Sequence, residues 1–194
     1  LTVVSWSAPA DDGGSPITSY LVTASNGATC TAIAPATSCK VVGLTNGTPY
    51  TFTVRAINAV GTGVASATSP TSTPAGRPTA PTTLSATISD GQVTIAFSGA
   101  GSNGSAITNY TVIAQPGGLT GSSSSSPVTV LGLTNGTAYT FRVIATNGVG
   151  DSESSTVSVT ATPATVPGPP TSVSAVSGNA SATVSFNAPT SDGG

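Results

Sequence analysis

A chain of 194 residues suits one or two domains, but its 4 Lys+Arg and 6 Asp+Glu make charged residues only 5% of the total, against about 25% in an ordinary soluble domain. The net charge of -2 supplies no basic stripe for phosphates or anionic lipid, so nucleic acid is not an expected partner. No His, no Met and two Cys leave the usual sources of catalysis and soft-metal ligation nearly empty, and no run of 18 apolar residues marks a membrane span in this segment.

Solvation of such a surface falls to the backbone and to Ser and Thr, which supply about a third of the positions. The chain opens on a strand-like run at Leu1, so any signal peptide or anchor is expected outside this segment. Asp11 to Gly14 then reads as a turn, and Ser15 to Tyr20, SPITSY, leads into the next strand. Cys30 and Cys39 flank TAIAPATS, which turns between the strands after Tyr20 and before Leu44. Metal ligation would need two more ligands, and none is at hand, so the pair reads as a disulfide and implies an oxidising compartment. Gly43 to Thr48, GLTNGT, is another turn, and after it Tyr50, Phe52, Val54 and Ala56 alternate with other residues at period two.

The pattern then repeats. PAGRPTAP at Pro74–Pro81 marks a short, semi-rigid joint. Asp90-Gly91 reads as a tight hairpin leading into Val93, Ile95 and Phe97, which alternate as a half-buried strand. SAITNY at Ser105–Tyr110 matches SPITSY at an offset of 90, and GLTNGT returns at Gly132–Thr137 at an offset of 89. Between them Gly121 and the run Ser122–Ser126 replace the cysteine hairpin, which is therefore expected to be looser. Tyr139, Phe141, Val143 and Ala145 repeat the alternating strand, and NGVG at Asn147–Gly150 repeats NAVG at Asn58–Gly61. A second Pro-rich joint, Pro163–Pro170, precedes SFNAPTSDGG at Ser185–Gly194, a copy of SWSAPADDGG at Ser5–Gly14 two periods earlier. No segment carries a helical pattern, and strands spaced by turns over about 89 residues predict an all-β chain of antiparallel sandwiches.

These residues resemble the fibronectin type III family over the whole chain. Trp6, Phe97 and Phe186 match its strand B aromatic, and Tyr20 and Tyr110 match its strand C tyrosine. Leu44, Tyr50, Phe52 and Val54, then Leu133, Tyr139, Phe141 and Val143, match the E to F region with its tyrosine corner. DGGSPIT with GLTNGT is similar to the bacterial secreted branch. The resemblance implies tandem Ig-like sandwiches: residues 1–75 a domain lacking strand A, 76–165 a complete domain, and 166–194 strands A and B of a third, near Ser172–Ser177 and Ala182–Asn187. The incomplete ends fit a trimmed longer polypeptide. Strand addition between molecules is the competing reading, although a donor would need one strand and the third copy carries two.

No catalytic residue, cofactor-binding residue or cofactor is expected. The carboxylates Asp11, Asp12, Asp90, Asp151, Glu153 and Asp192 all lie in turn-like segments, and no Ser has a His to activate it. Asp11 and Asp12 lack the alternating ligands of a dedicated calcium loop, so they read as a solvated turn. The nine aromatics are all expected in framework positions, leaving no stacking platform. Sequons at Asn46, Asn103, Asn109, Asn135 and Asn179 arise readily in this composition. The expected function is a non-catalytic extracellular structural or adhesive array: a stalk, an adhesin shaft or a surface filament component. Alternatives are a spacer in a secreted carbohydrate-active enzyme and an Ig-like decoration of a phage or virion surface. Expected partners are neighbouring repeats of the same or identical chains, with other surface proteins or glycans, at a secreted or cell-surface location.

Overall fold

The computed structural model describes residues 2–155 and 159–194. Among them every regular element is a β-strand and all pairings are antiparallel. The chain divides into two compact units, Leu1–Arg77 with Ser102–Ala106, and Pro78–Gly101 with Ile107–Gly194.

The first unit holds β1 (Thr2–Ser5), β2 (Ile17–Ala24), β3 (Thr29–Ile33), β4 (Ser38–Val41) and β5 (Phe52–Asn58). β1 pairs with β4, and β3, β2 and β5 form a second sheet in that order. Period-two alternation turns Tyr20, Val22 and Ala24 of β2 inward, and Val22 and Ala24 meet Val41, Tyr50 and Phe52. Val4, Trp6, Cys30, Cys39, Leu44 and Val54 pack around that core.

The second unit holds β6 (Thr83–Ser89), β7 (Gln92–Ser98), β8 (Ile107–Gln115), β9 (Thr120–Ser123), β10 (Val128–Leu131), β11 (Tyr139–Asn147), β12 (Gly150–Asp151) and β13 (Val159–Ala161). One sheet runs β10-β7-β6; the other runs β12-β11-β8-β9, with β13 also on β11. Along β11 the inward set Tyr139, Phe141, Val143, Ala145 and Asn147 is buried. It faces Val93, Ile95, Val128 and Val130 from the opposite sheet. Each fully buried Val or Phe of this set stabilises by about 1.5–3 kcal/mol, so this two-layer core rather than any single polar contact holds the sandwich. β6 and β7 join through Asp90-Gly91, where Gly91 takes a φ of 61° that a side chain would resist. Last come β14 (Thr171–Gly178) and β15 (Ser181–Asn187), paired with each other as β6 and β7 are.

The two units share more than strand order. Both carry a register shift beside the final asparagine of the central pair, Asn58 against Ile17 and Asn147 against Ile107. Such an irregularity re-aims a side chain, and here it turns the asparagine into the adjoining turn.

They differ at the cysteine hairpin. The Cys30–Cys39 bond joins β3 to β4 with Cα atoms 6.2 Å apart. Val22 opposes Cys30 as Val112 opposes Gly121, so Gly121 stands in the second unit where Cys30 stands in the first. In that hairpin the backbones approach closely at this point: a Cβ on Gly121 would collide with the Thr129 carbonyl and crowd Val128. One unit holds these strands with a covalent bond; the other brings the backbones together by removing a side chain.

One correction concerns Phe186, expected as framework packing but 61% exposed. β15 pairs only with β14, and every residue of both strands is exposed, so no opposing sheet covers the ring.

Candidate functional site

The sequence singled out carboxylates, tyrosines, asparagines and cysteines, and the structure ties most of these groups to the fold itself. The Asp11 carboxylate accepts the Gly13 N–H at 2.8 Å and the Asp12 carboxylate accepts the Gly14 N–H at 2.9 Å. Asp192 accepts from Gly194 in the same way at 3.0 Å. Each is an Asx turn, in which a short side chain closes the backbone two residues on. Asp90 accepts from Asn135 Nδ2 at 2.7 Å, and Asn135 Oδ1 accepts the Gly91 N–H at 2.9 Å, so the second GLTNGT turn is fastened to the β6–β7 hairpin. Asp151 accepts from the Thr146 hydroxyl at 2.7 Å. Among the described residues no three His, Cys, Asp or Glu side chains gather as a metal-binding group.

The tyrosine corners form in both units. The Thr45 N–H donates to the Tyr50 hydroxyl at 3.0 Å, and the Thr134 N–H donates to the Tyr139 hydroxyl at 3.1 Å. Both rings are buried. The backbone bond from Thr45, with lesser help from the Thr45 and Thr48 side chains, holds the Tyr50 hydroxyl below its ordinary pKa of 10.0, because these donors favour the phenolate.

Asn58 bridges two loops. Its Nδ2 donates to the carbonyls of Asp12 (2.8 Å) and Ser15 (3.3 Å), while its Oδ1 accepts the N–H groups of Val60 (2.9 Å) and Gly61 (3.1 Å). Asn147 is buried and accepts from Val149 and Gly150 through the same oxygen. Between the loops that Asn58 joins lies an open cleft of about 510 Å³, whose lining includes Pro9, Asp12, Ile17, Val60 and Val64. A smaller one of about 230 Å³ lies beside Trp6 and Tyr20, whose ring centroids are 5.2 Å apart. The Trp6 indole N–H is buried there without an acceptor.

Four residues that sequence reasoning missed are serines. Ser66 and Ser69 accept the N–H groups of Val54 and Phe52, each at 3.0 Å. Ser155 and Ser152 accept those of Val143 and Ala145, at 3.1 and 3.0 Å. In a composition so rich in hydroxyls these four looked like solvated surface. Their spacing of three, following Asn-x-x-Gly in both repeats, was the available signal.

Two tandem antiparallel sandwiches with a tyrosine corner and an Asn-x-x-Gly turn in each define a chain of Ig-like modules. The model of the fibronectin type III domain matches residues 1–72 and again 79–161, and the chain belongs to that family. Chitinase A1 of Niallia circulans is 34% identical over 176 residues, which is 85% of this chain and 24% of that protein. The chain thus spans about a quarter of the length of that curated relative. Among solved structures, the FN1–FN3 domains of chicken CNTN1 are 23% identical with a TM-score of 0.42, covering 95% of this chain and 70% of that one. A segment of two fibronectin type III domains from chicken tenascin is 20% identical with a TM-score of 0.41, covering 82% and 90%.

Proposed function

We propose that this chain is a non-catalytic structural array of an extracellular protein, acting as a stalk, an adhesin shaft or a surface filament component. One observation carries the reading: in both units the side chains with chemistry to offer are used by the fold. Tyrosine hydroxyls hold loop amides, asparagines and aspartates close turns, and serines bind the strand beside them. The Cys30–Cys39 bond supports an oxidising, secreted or cell-surface location. Neighbouring repeats, other surface proteins and glycans are the partners this reading names. The test is incubation of the purified chain with soluble and insoluble polysaccharides. No turnover is expected, and hydrolysis abolished by Asp11→Asn or Asp12→Asn would overturn the reading.

A second reading is favoured by the likeness to Chitinase A1 of Niallia circulans: the array as a spacer within a secreted carbohydrate-active protein. The full reading frame separates the two, since a catalytic or carbohydrate-binding domain in the same polypeptide selects the spacer.

A further inference from the structure

The segment after β5 in the first unit returns along that strand without forming a regular ladder. Gly63, Ser66, Ser69 and Ser72 donate their N–H groups to the carbonyls of Ala56, Val54, Phe52 and Tyr50, at 2.8–2.9 Å. Three residues of the segment thus accompany every two of β5. An antiparallel ladder needs a one-to-one count, and the backbone returns the bond at Tyr50, whose N–H donates to the Ser72 carbonyl at 2.9 Å, but not at Val54 or Phe52. At two steps the serine hydroxyl returns them: Val54 N–H donates to Ser66 Oγ, and Phe52 N–H to Ser69 Oγ. Each hydroxyl then donates onward at 2.8 Å, Ser66 to the Ala67 carbonyl and Ser69 to the Pro70 carbonyl.

The second unit repeats the arrangement. Ser152 and Ser155 donate their N–H groups to the Ala145 and Val143 carbonyls, and their hydroxyls accept in return. The far end differs, because there β13 buries Ala161 and packs Val159 on the core. In the first unit no hydrophobic residue from 62 to 72 belongs to the core or packs against it, and Val64 is 91% exposed.

We propose that residues 62–70 form a separable strap, attached through the Gly63, Ser66 and Ser69 N–H groups, the Ser66 and Ser69 hydroxyls and the Arg55 guanidinium on the Gly63 carbonyl, which opens as one unit while the first sandwich remains folded. Regions with few buried apolar contacts and exposed backbone bonds open below the global unfolding free energy. This segment has both features, whereas Phe52 and Val54 beneath it stay fixed by their own side chains. Opening bares the β5 edge at these two residues.

The experiment is residue-resolved amide exchange by NMR on the full chain, with Ser66→Ala and, as a control in the same segment, Thr68→Ala. The amides of Phe52, Val54, Ser66 and Ser69 are expected to share one opening, well below that of the β2 amides Leu21 to Thr23. Ser66→Ala should speed all four by roughly tenfold, the effect of losing one such bond. It should leave the β2 amides unchanged, and Thr68→Ala should change nothing. Acceleration of Val54 alone would reduce the strap to an isolated hydrogen bond. Exchange of all four together with β2 would show that the segment opens only with the whole sandwich, and either result overturns the proposal.

Discussion

Removing the Cys30–Cys39 bond is the perturbation whose size and location are best defined. The cysteines are nine residues apart in sequence, and both pack on the first core. The chain-entropy model assigns a loop of that size about 2.6 kcal/mol. With a urea slope of about 1–1.5 kcal/mol/M for a unit of this size, the unfolding midpoint should fall by roughly 2 M. The thermal midpoint should fall by about 10–20 °C. The molecule carries its own reporter: Trp6 is the sole tryptophan and packs in the same cluster as both cysteines, so its fluorescence follows the first unit alone. Exchange of the Phe141 and Val143 amides follows the second, where Gly121 replaces the cysteine and reductant has nothing to cut. Urea titrations with and without reductant, with free thiols counted in each sample, should shift the tryptophan transition and leave the second unit unmoved. An unmoved tryptophan transition with two thiols free, or equal shifts in both units, would refute the reasoning.

Gly121→Ala should destabilise the second unit by about 1–3 kcal/mol, the range for overpacking, because the new methyl meets the Thr129 carbonyl; a urea melt of that unit checks it. Tyr139→Phe keeps the ring and deletes the acceptor of the Thr134 N–H, so it should cost about 1 kcal/mol, read the same way. Asn147→Ala removes a buried oxygen that accepts from Val149 and Gly150, and should cost about 2 kcal/mol or more with faster exchange at both amides. Tyr50 should ionise below 10.0, so Tyr50→Phe should remove its share of the phenolate absorbance from a spectrophotometric pH titration. Because the folded-state pKa is the depressed one, its stabilisation is present above the unfolded value and is lost as pH falls through the folded value.

The strands were legible because alternation is written along one chain: Tyr139, Phe141, Val143 and Ala145 announce a buried face without reference to a partner. The family resemblance extended that reading to the tyrosine corners, and repetition at 89 residues marked the Asn-x-x-Gly turns; both recur with their hydrogen bonds in both units. The features that escaped depend on a second strand. Gly121 is a close approach only against Thr129, and in sequence it is one more glycine before a serine run. Phe186 sits at the place of Phe97, yet a ring is buried by what faces it, and β14–β15 has no facing sheet.

The serines raise a question of selection that composition alone conceals. The Val143 and Ala145 N–H groups of β11 make their serine bonds in buried surroundings, where an unpaired N–H would cost about 1–3 kcal/mol. A hydroxyl on the return segment supplies the acceptor locally and donates its own hydrogen bond to the next carbonyl. Ala at these steps would remove the accepting oxygen. At Ser66, Ser69, Ser152 and Ser155 the hydroxyl is therefore a backbone substitute, while an exposed Thr68 or Thr71 on the same segment is free to vary. Hydroxyls that look interchangeable in the sequence thus divide into two populations, and only the one that completes a strand should register in stability.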